Sequence, residues 1–250
     1  MPPKAATSPT HFLCIPLASP QLARAWASFR ADVTSPHSFA LPEDAVRPLG
    51  TLHLTLGVMS LGQQDGGGVD RAAEVLAGLR PRELLAELRR ASNENTTKAK
   101  TAAAAAAAAG GTTGEGISIT LRGLRAMHAP SKTSVLYAPP TDEEGLLQRF
   151  CEGLRAPFRE AGLMKEEEGR PMLLHATLIN TIYVKGGSRG RGRERMMLDA
   201  RDVLARYGGD DYVWAEGLAV TRIAVCRMGA KPVEGSEGDQ AYEVEAEVEV

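Results

Sequence analysis

Two short phrases hold the side chains best suited to chemistry: Leu52-His53-Leu54-Thr55-Leu56 and Leu174-His175-Ala176-Thr177-Leu178. In a strand, successive side chains point to opposite faces. His53 and Thr55 therefore share one face, as do His175 and Thr177, and the leucines and Ala176 take the other. Each strand would pack through its apolar side and offer a histidine–threonine pair on the reverse. Histidine, with an ordinary pKa of about 6.5, takes up or releases a proton near neutral pH. Cleaving a phosphodiester without a metal needs a base at the attacking oxygen and an acid at the leaving oxygen. Two such strands facing a cleft would put one histidine on each side of the phosphorus. The threonine hydroxyls would then hydrogen-bond the nonbridging oxygens.

A strand histidine is commonly no more than a half-buried polar residue, so one phrase alone says little. With five histidines and sixteen threonines in 250 residues, two or more His-x-Thr pairs arise in roughly 4% of shuffled chains, and the apolar flanks lower that further. His11 and His37 read as surface or loop residues. His128, beside a turn, has no matching phrase.

The elements that must position these pairs follow from periodicity and punctuation. Residues 11–17 read as a strand. Ser19 and Pro20 open a helix running to about Asp32, with Leu22, Trp26, Phe29 and Val33 at helical spacing. A turn-rich loop (34–48) leads to a strand at 51–59. After a glycine-rich break at 62–68, residues 69–90 are helical by pattern, with a break expected at Pro81. Residues 92–116 form a low-complexity, alanine-rich insertion, read as disordered or partly helical and without chemistry. Strands are expected at 117–124 and 133–138. Thr141 and Glu144 have capping-box spacing before a helix carrying Leu146, Leu147, Phe150, Leu154 and Phe158. A long strand (172–184), a short helix (199–207) ending at Gly208, and strands at 219–228 and 242–250 complete the order. It reads as an imperfect duplication with one His-x-Thr strand in each half: a single domain over residues 10–250, interrupted by the insertion.

Composition narrows the classes. Hydrophobic residues make up 43% and charged residues 24% of the chain, ordinary values for a globular protein with a real core. The net charge of −2 excludes nucleic-acid binding by bulk charge and leaves only a local patch. Cys14, Cys151 and Cys226 are far apart, odd in number and form no CxxC. They read as buried thiols in a reducing compartment, without a disulfide framework or metal site. No apolar run is long enough to span a membrane, and the first residues lack a signal-peptide core. Nucleus or cytoplasm is the expected location.

The phrases around the two motifs are more specific than the motifs themselves. THFLCIPL (10–17), LHLTLGVMSL (52–61), LLHATLINTIY (173–183) and IAVCRMGAK (223–231) together resemble the 2H phosphoesterase superfamily, to which the 2′-5′ RNA ligase-like proteins belong. More closely, the chain is similar to the A-kinase anchor protein 7-like phosphoesterase domain, also found in activating signal cointegrator 1 complex subunit 1. The resemblance covers nearly the whole chain apart from the insertion and the acidic end. It implies an α+β, bilobal fold with two antiparallel sheets flanking a central cleft and helices outside. It implies His53 and His175 as catalytic residues, Thr55 and Thr177 as phosphate contacts, and no cofactor or metal. The implied substrates are RNA or oligonucleotide phosphodiesters with 2′,3′-cyclic, 2′-5′ or 3′-terminal bonds. Transcription-coactivator subunits are the implied partners. The alternative is a noncatalytic RNA-binding or scaffold subunit.

Beside the second motif, Lys185, Arg189, Arg191, Arg193 and Arg195 make a glycine-rich basic loop that could gather an RNA backbone, and Tyr183 could stack on a base. A solvated surface loop and a packed tyrosine are the plainer alternatives. The last strand, with acidic residues at alternate positions, reads as a charged edge strand.

Overall fold

The computed structural model describes residues 8–62, 67–100, 116–164, 172–184, 196–236 and 238–250, with the side chains of 95–100 excepted. In chain order the elements are β1 (His11–Pro16), α1 (Pro20–Thr34), β2 (His53–Met59), α2 (Gly68–Ala77), α3 (Pro81–Lys100), β3 (Ser118–Arg122), β4 (Arg125–Ala126), β5 (Val135–Ala138), β6 (Pro140–Thr141), α4 (Leu147–Glu160), β7 (Ala176–Asn180), α5 (Arg201–Tyr207), β8 (Val213–Ala219), β9 (Arg222–Arg227), β10 (Lys231–Pro232), β11 (Gln240–Ala241) and β12 (Val244–Glu249). Seven strands form one sheet in the order β12-β9-β1-β2-β7-β5-β4, three form a second in the order β6-β3-β8, and β10 pairs with β11. The fold is α+β with antiparallel sheets, as the resemblance implies. The two motif strands, β2 and β7, are direct neighbours in the large sheet.

Local chemistry accounts for most of the elements. The Ser19 hydroxyl accepts from the Leu22 N–H at 3.1 Å and Pro20 occupies the first turn of α1, whose Leu22, Phe29 and Val33 are buried. Phe29 meets Tyr207 and Trp214 edge-on, at 5.0 and 4.9 Å, and joins α1 to α5 and β8. Pro81 begins α3 after the break that follows α2. Helix α3 continues to Lys100, so the start of the alanine-rich insertion prolongs it; residues 101–115 lie outside the described residues. Among the described residues no helix is long and apolar enough to cross a membrane.

Several expectations need correction. Thr141 does not cap a helix: it pairs with Thr120 in β6, and Gly145, at φ +66°, turns the chain before α4 begins. The Asp142 carboxylate accepts from the Leu146 N–H at 2.6 Å, and Glu144 instead pairs with Arg89. The strand expected over 172–184 is reduced to β7, because Asn180 caps a 3₁₀ turn at Thr181–Tyr183 by accepting from the Ile182 N–H at 3.1 Å. Strand β8 was not foreseen. His11 is not a surface residue: β1 lies between β9 and β2, and His11 is 4% exposed, with Nδ1 2.9 Å from the Thr10 hydroxyl.

Candidate active site

Register builds the site. Leu54 pairs with Ala176 across β2 and β7. Carried one residue either way, antiparallel pairing sets His53 opposite Thr177 and Thr55 opposite His175. The two histidines are then diagonal neighbours on one face, roughly 7–8 Å apart and somewhat closer at Cβ. Leu52, Leu54, Leu174, Ala176 and Leu178 are buried on the reverse, and the histidines and threonines are half-buried.

Both motif strands then break the alternation in the same way. Opposite β1, the register slips so that Leu13 faces Gly57 and Cys14 faces Thr55, leaving Leu56 as an extra residue. Opposite β5, Leu136 faces Ile179 and Tyr137 faces Thr177, leaving Leu178 extra. A bulge of this kind re-aims the residues that follow it. Val58 and Asn180, each five residues after its histidine, thereby join the site face, and both line the cavity. The two motif strands thus carry the same bulge, three residues after each histidine.

Each histidine is anchored alike. His53 Nδ1 lies 2.7 Å from the Thr51 carbonyl, and His175 Nδ1 lies 2.8 Å from the Leu173 carbonyl, again two residues before it. A carbonyl only accepts, so Nδ1 carries the proton and Nε2 of the neutral ring carries the lone pair. His53 Nε2 accepts from the Thr55 hydroxyl at 3.0 Å. Around His53, Phe12 lies 4.8 Å and Tyr242 5.4 Å away, centroid to centroid; His175 meets Tyr137 at 5.4 Å. Burial pushes His53 down to about 4. The Thr51 carbonyl opposes that shift, and the charges of Arg47 and His175 reinforce it. In the free protein at neutral pH His53 is therefore an uncharged ring whose Nε2 lone pair rests on the Thr55 hydroxyl.

A cavity of about 220 Å³ opens on this face, walled by His53, Thr55, Thr177, Tyr183, Arg47, Tyr242 and neighbours. His175 stands beside this wall rather than in it, at the diagonal position its register sets. Tyr183 is 41% exposed, with the Arg47 guanidinium carbon 3.7 Å above its ring. Lys185, Arg189, Arg191, Arg193 and Arg195 lie outside the described residues. Cys14, Cys151 and Cys226 are buried and free, with the first and last sulfurs 3.8 Å apart. Among the described residues no group of three or more His, Cys, Asp or Glu side chains is arranged to hold a metal. Sequence reasoning missed Arg47, Phe12, Val58, Asn180 and Tyr242. Arg47 sits in a stretch read as a loop, and Tyr242 in one read as an edge strand.

Paired His-x-Thr strands thus stand side by side on one face of an antiparallel sheet. The chain belongs to the AKAP7 2'5' RNA ligase-like domain family, which matches residues 9–250. It is 29% identical over 128 residues to an uncharacterized protein of Schizosaccharomyces pombe, a match covering 51% of this chain and 55% of that one, so the match spans about half the length of that relative. Among solved structures it is similar to E. coli LigT complexed with 3'-AMP, at 16% identity and a TM-score of 0.46, covering 97% of this chain and 98% of LigT. A Thermus thermophilus protein matches at 15% identity and a TM-score of 0.49, covering 96% and 97%.

Proposed function

We propose that the protein is a metal-independent phosphodiesterase acting on RNA or oligonucleotide ends, with His53 as general base and His175 as general acid. Family membership supports phosphoesterase chemistry in the broad sense. The observation that carries the finer reading is the pair of histidines on adjoining strands, each anchored through Nδ1 so that Nε2 faces the site, where the phosphate would take over the Thr55 hydroxyl that His53 Nε2 holds in the free protein. On a 2′,3′-cyclic phosphate, water attacks phosphorus as His53 Nε2 takes its proton. The bond to one ribose oxygen breaks, and that oxygen receives the Nε2 proton of His175, which enters this step as the imidazolium and leaves it neutral; the proton taken up by His53 balances the one given. The anionic phosphate favours the imidazolium that forms at His53, offsetting the burial that holds the free ring neutral. Thr55 and Thr177 donate to the nonbridging oxygens. We further propose the nucleus or cytoplasm as its location and transcription-coactivator subunits as partners.

The test is turnover, with EDTA present, of an RNA panel bearing 2′,3′-cyclic, 2′-5′ and 3′-5′ ends, comparing wild type with the His53→Ala, His175→Ala double variant. Cleavage by wild type and none by the variant is the expected result, and the substrate cleaved identifies the linkage. Activity that EDTA abolishes and zinc or magnesium restores would refute the metal-free mechanism. No turnover by folded wild type would favour a reader of phosphate ends.

A further inference from the structure

We propose that Arg47 is the phosphate clamp of this cleft, its guanidinium fork holding the nonbridging oxygens of the group that His53 and His175 flank. This rests on the phosphodiester reading above and adds a residue that neither motif contains.

Arg47 is 6% exposed, yet it lines the cavity with His53, Thr55 and Thr177. A buried charge is costly unless it is paired. Among the described residues no carboxylate lies within ion-pair distance of Arg47. Its side-chain partners there are the face of Tyr183 and the Tyr242 hydroxyl, which accepts from Nη2 at 3.3 Å. Stacking uses none of the five N–H donors of a guanidinium and the phenol uses one, so hydrogen-bonding capacity is left over. Burial pushes the Tyr242 phenol up to about 12, so a neutral oxygen faces the guanidinium and leaves its charge uncancelled.

The placement is fixed before any ligand arrives. Val46 bridges to Ile179, the Arg47 N–H donates to the Leu178 carbonyl at 2.8 Å, and the Arg47 carbonyl accepts from Trp26 Nε1 at 2.8 Å. The side chain therefore starts beside Thr177 on β7, and the Tyr183 ring sets its plane. Such preorganised donors are the kind that stabilise charge developing in a transition state. An arginine fork matches two phosphate oxygens, which a lysine ammonium does not. The charge count agrees. Among the described residues lining the cavity, Arg47 alone is permanently charged, which matches the single negative charge of a phosphodiester.

The test is isothermal titration calorimetry with inorganic phosphate on the full chain, using wild type, Arg47→Met, Arg47→Lys and Tyr183→Leu, with thermal melts to establish folding. Arg47→Met is expected to weaken phosphate binding roughly tenfold or more, and Arg47→Lys to recover only part of it. On any substrate cleaved, kcat should fall further than KM rises, and added guanidinium should partly rescue Arg47→Ala. Folded Arg47→Met with wild-type phosphate affinity would overturn the proposal and leave Arg47 a structural tie between loop and C-terminal segment. If Arg47→Met does not fold, Arg47→Lys decides: unchanged affinity and kcat refute the fork. Calorimetry needs no turnover, so Arg47-dependent binding by a protein that cleaves nothing would sink the enzyme reading alone. Turnover that is indifferent to Arg47 would sink only the clamp.

Discussion

The two His-x-Thr halves share a backbone and differ in their surroundings. In each, a carbonyl two residues before the histidine holds Nδ1, and a bulge brings the residue five places after it onto the site face. The first half encloses its histidine: Phe12 and Tyr242 flank His53, and Thr55 occupies its Nε2. The second sets His175 against one tyrosine edge, and its Nε2 has no hydrogen-bond partner among the described residues. Repeated backbone geometry fixes where the two nitrogens stand; burial, with the charges nearby, then holds the His53 ring neutral. A duplicated motif can in this way supply two unlike roles.

The sharpest way to break the comparison is to remove each histidine alone. His53→Ala and His175→Ala should each lower kcat by roughly 10²–10⁴-fold, the ordinary worth of a positioned acid or base. The pH profiles should then differ. Without His175, the limb that falls toward acid, set by His53 protonating, persists and the alkaline limb disappears; the reverse pattern would exchange the roles. A second effect of a few kcal/mol is thermodynamic. His53 sits at about 4 when folded, and an unfolded histidine at about 6.5. Between these values the unfolded chain binds more protons at this position, so stability rises with pH. It is lost as pH falls from about 6.5 toward 4 and is level outside that window, a total of about 3 kcal/mol. Urea unfolding at pH 7 and 4.5 should show a larger loss for wild type than for His53→Asn. Equal losses would mean that the ring is not held neutral by burial.

The chemistry-bearing face was largely legible and its completion was not. His53, Thr55, His175 and Thr177 could be placed on common faces because strand alternation holds as far as the threonines. Beyond them it fails. Val58 continues the apolar parity of Leu52, Leu54 and Leu56, yet the bulge at Leu56 turns it into the cavity. No residue type announces that bulge. Strand β8 was hidden because Glu216 and Gly217, the latter at φ +61°, interrupt its alternation. Arg47 and Tyr242 are brought in by long-range pairing, Arg47 through Leu178 and the C-terminal segment through the Asp239 carboxylate bonded to the Gly50 N–H. Such contacts leave no local pattern.

Smaller perturbations sharpen the same contrast. The residue after the extra leucine is Gly57 in the first half and Ile179 in the second. A Cβ at Gly57 would stand 2.5 Å from the Met164 sulfur, the far end of a flexible side chain that can shift. Gly57→Ala should therefore cost only about 1 kcal/mol of stability, read from urea midpoints. A loss above roughly 3 kcal/mol would show a rigid contact between Met164 and β2.

The smallest expected effect separates the two threonines. In the proposed reaction Thr55 and Thr177 play equivalent parts, and replacing either with valine should lower turnover by about tenfold, the scale of one hydrogen bond to a charged group. Only Thr55 also donates to a histidine in the free protein. That bond favours the neutral ring, because protonated Nε2 cannot accept it. Thr55→Val should therefore raise the His53 pKa by a few tenths of a unit, and Thr177→Val should leave it in place. Imidazole ¹⁵N titration of the two variants reads this without any substrate. A downward shift in Thr55→Val would mean that the hydroxyl assists the charged ring, and the lowered His53 pKa would then rest on burial and the nearby charges without it.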